Sequence, residues 1–275
     1  LPDDMKNGVA SLSQAADAIV RFNKNIIDNI ADIVPAVKVQ VAYYEMYGSE
    51  GMRAFAETLA YAKSKGMVTM ADVKRNDIGS TAAAYSKAYL GENLVGGKAF
   101  TPFESDFVTL NGYLGGDGIK PFVDDAEKHG KGAFVLVKTS NPSSGELQNK
   151  KLENGNTVYE EMASFVKEWG KNLVGDCGYS SIGAVVGATH KEEAAILREK
   201  FPSLFFLVPG YGAQGATAED VAVNFDKNGL GAIVNSSRGI LCAYKKDKYQ
   251  GMTYFAAARA AALDMKEDLT AHIGL

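Results

Sequence analysis

Two hydrophobic rhythms take turns along the chain. Over residues 11–34 apolar side chains recur at helical spacing, with Ala15, Ile19, Phe22, Ile26, Ile30 and Ile33 on one face. Ser11 or Ser13 is placed to cap that helix and Pro35 to end it. Residues 36–44, AVKVQVAYY, switch to period two, with Val37, Val39 and Val41 on one side and Lys38 and Gln40 on the other. The spacing then predicts helices over 50–65, 78–90, 118–129, 157–171, 190–200, 217–228 and 251–270. Between them it predicts strands over 67–72, 106–111, 132–138, 181–187, 204–208 and 230–234. Short strands apolar on both faces, alternating with helices, predict a parallel sheet covered by helices.

No linker or shift of composition interrupts this alternation, so one α/β domain over 1–275 is expected. Its closed form would be a (β/α)8 TIM barrel, which needs eight strands and begins with one. The pattern supplies seven and begins with a helix. Either the first strand is absent from the chain as given or the sheet is open, and the lack of Met at position 1 favours absence.

Chemistry gathers at the strand-to-helix corner MADVKRNDIGSTAAAY, residues 70–85. In an unbroken strand Asp72 and Lys74 share one face, and Asp77 follows three residues later. Barrels of this class keep their active sites at such corners, at the carboxyl ends of the strands. Lys38 interrupts an apolar strand and would lie on the same interior face. A structural ion-pair network is the plainer reading of these charges. The functional one rests on the cost of burying them unpaired. At ~4 Å and an effective dielectric near 20, a carboxylate stabilises an ammonium by roughly 4 kcal/mol before desolvation. Lys74 between two acids is therefore expected to stay protonated, which suits a proton donor rather than a nucleophilic amine.

Two later loops suit a phosphate. In LFFLVPGYGAQGATAED (204–220), Gly210, Gly212 and Gly215 fit the GxGxxG spacing between a strand and a helix. The acid that a dinucleotide site wants after the next strand is missing; that strand ends in Asn235, Ser236, Ser237 and Arg238. A nicotinamide cofactor is therefore disfavoured, while backbone N–H groups in a glycine-rich loop still suit a phosphate. Gln214 and Arg238 sit on the two loops where barrels commonly hold one. The long stretch around KTSNPSSGELQ (138–148) reads as a lid or specificity loop.

Composition narrows the field. A net charge of −4 gives no footprint for nucleic acid or an anionic membrane, and no apolar run approaches the ~20 residues of a membrane span. His129, His190 and His272 are too scattered for a zinc site. Cys177 and Cys242 read as free, buried or half-buried thiols of a reducing cytoplasm.

The blocks VKVQVAYYE (37–45), DVKRNDIGST (72–81), VKTSNPSSGELQ (137–148), VPGYGAQG (208–215) and VNSSRG (234–239) closely resemble those of orotidine 5′-phosphate decarboxylases, in that family's longer, largely bacterial branch, and in its order. The resemblance implies a (β/α)8 barrel, a homodimer, and decarboxylation of orotidine 5′-monophosphate to UMP without metal or cofactor. By position, Lys74 would deliver a proton to C6 of the pyrimidine as CO2 leaves. Asp72 would sit beside the substrate carboxylate, and Lys38 would bond the ribose while neutralising Asp72. Asp77 and Thr81 would cross the dimer interface, Ser140 would read the pyrimidine edge, and Gln214 and Arg238 would hold the phosphate. A Leu-Asp-Pro strand end usual in the family has no counterpart here. Sugar-phosphate decarboxylases and hexulose-phosphate synthases share DxKxxD and use Mg2+; a barrel that only binds nucleotides is the remaining alternative.

Overall fold

Pro35 has no N–H to give a helix and disfavours helical backbone in the residue before it, and the chain turns into its first strand there. In the computed structural model, which describes residues 1–212 and 215–274, the preceding helix α1 (Leu12–Ile30) stops a turn short of residue 34. The amides of Ile33 and Val34 both close onto the carbonyl of Ile30. There follow β1 (Ala36–Gln40), α2 (Gly48–Ser64), β2 (Val68–Arg75), α3 (Gly79–Tyr89), β3 (Asn93–Val95), β4 (Lys98–Phe100), β5 (Phe107–Leu110) and α4 (Gly116–His129). The second half holds β6 (Gly132–Lys138), α5 (Val158–Trp169), β7 (Ser180–Val186), α6 (Lys191–Lys200), β8 (Leu204–Pro209), α7 (Ala218–Ala222), β9 (Ala232–Asn235) and α8 (Tyr254–Ile273).

Among the described residues seven strands form one sheet in the order β1-β2-β5-β6-β7-β8-β9. The pairings β1–β2, β6–β7, β7–β8 and β8–β9 are parallel. Sequential parallel strands joined through helices are the connectivity of the (β/α)8 barrel, carried here by seven strands. Each of the seven overlaps a strand expected from the hydrophobic pattern.

The chain divides into two compact units. The first comprises Leu1–Val73, Lys87–Val108 and Ser237–Met265. Its core joins Phe22, Ile26, Ile27 and Ile30 of α1 to Ala62 of α2, Met67, and Ala258 and Ala262 of α8. Ser11 caps α1 by accepting the N–H of Gln14 at 3.2 Å. The second comprises Lys74–Ser86, Thr109–Ser236 and Lys266–Leu275. There β6 and β7 are buried along nearly their whole length, as strands covered on both faces must be.

Three expectations are corrected and one element is added. Residues 36–44 are not one strand: β1 ends at Gln40, Val41 turns helical, and Tyr44 is buried with its hydroxyl accepting from Asn23. The helix expected over 217–228 lasts only from Ala218 to Ala222. The Thr217–Asp220 capping box starts it, and the Asp226 carboxylate then folds a turn by accepting the N–H groups of Asn228 and Leu230. The hairpin β3–β4 is additional. Its turn is Gly96-Gly97, both at positive φ, but strands of three residues are too short to show a period. Cys177 and Cys242 are free, as expected, but Cys177 is exposed.

Arg198 on α6 braces the second unit from inside. It is buried and donates to the carbonyls of Asn224 (2.9 Å), Leu204 (2.9 Å), Pro202 (3.3 Å) and Gly231 (2.7 Å), with its guanidinium 3.8 Å over the ring of Phe206. Burial pulls its pKa down to about 10. Arg198→Met strips these carbonyls of their donor and is expected to cost about 3 kcal/mol or more in urea unfolding. Arg198→Lys recovers only part of that, because an ammonium cannot reproduce the planar fork.

Candidate active site

The carboxyl ends of β1 and β2 bring two of the expected site residues together. Parallel register sets Gln40 opposite Asp72 and Lys38 opposite Met70. Val39 points into the core, so Lys38 and Gln40 project to the other face. There the Lys38 ammonium meets Asp72 Oδ2 at 2.5 Å, and the Gln40 amide donates to the same oxygen at 3.0 Å. The Lys38 and Asp72 side chains are 13% and 6% exposed. A carboxylate that far from water holds its charge only with a cation and hydrogen-bond donors against it.

Lys74 lies two residues further along β2. The strand is buried from Thr69 to Val73 and comes into the open at Lys74. The backbone there leaves strand geometry. Lys74 has φ +48°, the only non-glycine residue at positive φ among the described residues. For an L-residue this costs of order 1–2 kcal/mol, and such strain persists only where surrounding bonds hold it. One of them is explicit: the Lys74 N–H donates to Thr109 Oγ1 of β5 at 2.9 Å, and Thr109 is 1% exposed. The direction of the Lys74 side chain is therefore not set by strand alternation, as it would be in the unbroken strand expected from the sequence.

Beyond Lys74 the chain is fastened again. The Asn111 N–H donates to the Arg75 carbonyl at 3.1 Å, and the Asn76 side-chain amide donates to the Asn111 carbonyl. The half-buried Asp77 turns Oδ1 to the N–H of Ile78 at 2.8 Å, opening α3. Gly118 at the start of α4 makes this corner possible, since a Cβ there would lie 2.3 Å from Asn76 Oδ1 and 2.5 Å from the Asp77 carbonyl. Thr81 is exposed on the first turn of α3.

Ser140 follows β6 on a loop held by many bonds. Thr139 N–H donates to Gln148 Oε1 (3.0 Å), Gln148 Nε2 donates to Thr139 Oγ1 (2.8 Å), and Thr189 Oγ1 donates to the Ser140 carbonyl (3.3 Å). Gly187 at the end of β7 lets Ser140 come close, because a Cβ would sit 2.7 Å from the Ser140 nitrogen. Beneath lies Lys138, fully buried, with its ammonium 2.7 Å from Asn149 Oδ1, 3.8 Å from Glu193 and 5.6 Å over the Tyr159 ring. Burial lowers its pKa, and burial together with Lys138 lowers that of His190, whose Nε2 lies 3.0 Å from the Thr139 carbonyl. His190 stands at the N-cap of α6 without capping it through its side chain. Residues 139–149 are thus tied down at both ends. Sequence patterns alone do not single out Lys138, Asn149 or Thr109, which work through groups distant along the chain.

The glycine-rich loop leaves β8 beside the end of β9, since Pro209 and Asn235 are register partners. Gly210, Gly212 and Gly215 take φ values of +110°, +71° and +94°. The Gly212 N–H is already given to the Ala216 carbonyl at 2.9 Å, and that of Gly215 to Gly212. Those two amides are occupied within the loop, which corrects the picture of a row of free donors. Gln214 lies outside the described residues. Asn235 Oδ1 is buried without a hydrogen-bond partner among the described residues. Arg238, three residues beyond Asn235, is exposed at the start of the turn Arg238–Leu241. Among the described residues no three His, Cys, Asp or Glu side chains cluster as a metal site, and no helix is long and apolar enough to cross a membrane.

Known proteins resemble this chain over most of its length. The sequence model of the orotidine 5′-phosphate decarboxylase / HUMPS family matches residues 14–250. Orotidine 5′-phosphate decarboxylase of Clostridium acetobutylicum is 46% identical over 253 residues, 92% of this chain and 85% of that protein. The enzyme of the same name from Caldicellulosiruptor saccharolyticus is 48% identical over 255 residues, 93% and 83% of the respective lengths. Among solved structures, Leishmania donovani UMP synthase matches with a TM-score of 0.78 and 32% identity over 94% of this chain. The chain spans about half, 51%, of that longer polypeptide.

The Lys38–Asp72 pair yields a test by paired substitution. Lys38→Met removes the cation from a buried carboxylate and is expected to lower stability by about 3 kcal/mol. Adding Asp72→Asn removes the charge left behind and should recover most of the loss in urea melts. A double variant no more stable than Lys38→Met would mean that the ion pair is not what the first substitution broke.

Proposed function

The chain belongs to the orotidine 5′-phosphate decarboxylase / HUMPS family, and from that membership we infer that it decarboxylates orotidine 5′-monophosphate to UMP, with Lys74 stabilising the carbanion and protonating it. The observation that carries the role of Lys74 is its backbone. A strained left-handed residue, pinned by a buried hydroxyl at a strand end, is the kind of local cost that persists at catalytic positions.

Loss of CO2 breaks the bond between C6 and the carboxyl carbon and leaves its electron pair on C6. That ring carbon has no adjacent electron sink, so stabilisation must come from a charge already in place. The Lys74 ammonium supplies it and then transfers a proton to C6, giving UMP; solvent restores the proton to the amine. Asp72 stands beside the substrate carboxylate. Lys38 neutralises Asp72 and bonds the ribose. Ser140, on its tied loop, reads the pyrimidine edge, while Gly210, Gln214 and Arg238 take the phosphate; Gly212, whose N–H is held by the Ala216 carbonyl, only shapes the loop. The phosphate lies far from the reacting carbon, so its binding energy serves orientation and appears in the rate. Asp77 and Thr81 complete the site of a second copy in a homodimer, and the enzyme works in the cytoplasm.

The family description also names HUMPS. Decarboxylation that continues unchanged in EDTA supports the orotidine reading, and loss that Mg2+ restores supports the metal-dependent sugar-phosphate one. Lys74→Ala is expected to lower turnover of orotidine 5′-monophosphate, followed by pyrimidine absorbance, by about 10³-fold or more. UMP binding by calorimetry should stay within a few-fold of wild type. Normal turnover in this variant removes Lys74 from the mechanism.

A further inference from the structure

Lys74 stands where two regular arrangements meet. From Thr69 to Val73 the strand is buried on both faces, and one residue after Lys74 it is bonded to the segment beyond β5 again, through the Arg75 carbonyl and the Asn111 N–H at 3.1 Å. Between these points the backbone turns to φ +48°. The amide that turns with it is received by a side chain, the Thr109 hydroxyl, at 2.9 Å. Thr109 is buried, so its oxygen stands where water does not compete.

We propose that Thr109 is a positioning residue for the reaction: its hydroxyl holds the Lys74 backbone in the left-handed conformation that aims the ammonium. The assignment rests on the reading of Lys74 as proton donor. The direction of a Cα–Cβ bond depends on the backbone angles on either side, so relaxing Lys74 to negative φ swings the whole lysine side chain. A hydroxyl in place of a carbonyl accepts the displaced amide without requiring strand geometry. A misplacement of about 1 Å at a reacting group lowers turnover by about 10²-fold.

Thr109→Val keeps the branched shape and removes the acceptor. Its kcat is expected to fall by about 10²-fold, with KM for orotidine 5′-monophosphate and the dissociation constant of UMP changed less than about threefold. Thr109→Ser, which keeps the acceptor, should restore kcat to within a few-fold. Thr109→Ala removes the acceptor without risk of crowding and should behave as the valine variant does. A wild-type kcat in either acceptor-free variant overturns the assignment. So does a loss of kcat matched by an equal loss of UMP affinity, or one that serine does not restore. Wild-type protein inert toward orotidine 5′-monophosphate, or a fully active Lys74→Ala, would instead strike the functional reading and take this assignment with it. An active wild type, a dead Lys74→Ala and an unimpaired Thr109→Val together overturn the positioning role alone.

Discussion

A carboxylate as deeply buried as that of Asp72 keeps its charge only if a cation is built in beside it, and β1 exists in this register to provide one. Setting Gln40 opposite Asp72 brings Lys38 within 2.5 Å of the same carboxylate oxygen. Sliding β1 by one residue would carry both polar side chains to the other face and put valines there. The hydrophobic alternation of AVKVQ therefore does two things at once. It buries Val39 in the core, and it sets Lys38 and Gln40 against the Asp72 carboxylate.

The second constraint is in the backbone. Lys74 gives up regular strand geometry within a strand that is otherwise well bonded, at a cost of order 1–2 kcal/mol. The structure holds that cost locally through Thr109 on one side and the Arg75–Asn111–Asn76 bonds on the other. The loop carrying Ser140 follows the same logic by different means, with the Gln148 clamp and the buried Lys138 holding it at both ends. In both places the side chain read as functional is held by neighbours with no part in the chemistry.

The layers legible in the sequence were those written as periodicity or as a charge out of place. Seven strands and their helices followed from hydrophobic spacing, and a charge interrupting an apolar strand placed Lys38 on the face of Asp72 and Lys74, while its pairing with Asp72 in particular came from the family resemblance. Less legible were features made by side chains acting on distant backbone. Thr109 reaches Lys74 across 35 positions and looks like any strand threonine in FVTL. Past α7 an Asx turn at Asp226 folds the chain where the hydrophobic spacing continues a helix. The glycine-rich loop was recognisable by its spacing, but the use of the Gly212 and Gly215 amides inside the loop was not. The positive φ at Lys74 had no sequence counterpart, since nothing but the surrounding bonds makes a lysine adopt it.

The central claim is that an ammonium at position 74 stabilises and then protonates the carbanion, and chemical rescue tests it most directly. Lys74→Cys should be inactive. Alkylating it with 2-bromoethylamine rebuilds an ammonium at nearly the same reach, and turnover of orotidine 5′-monophosphate should return, while wild type treated alike, its own Cys177 and Cys242 included, stays active. An active Lys74→Cys before alkylation, or complete modification with no return of turnover, would contradict the account.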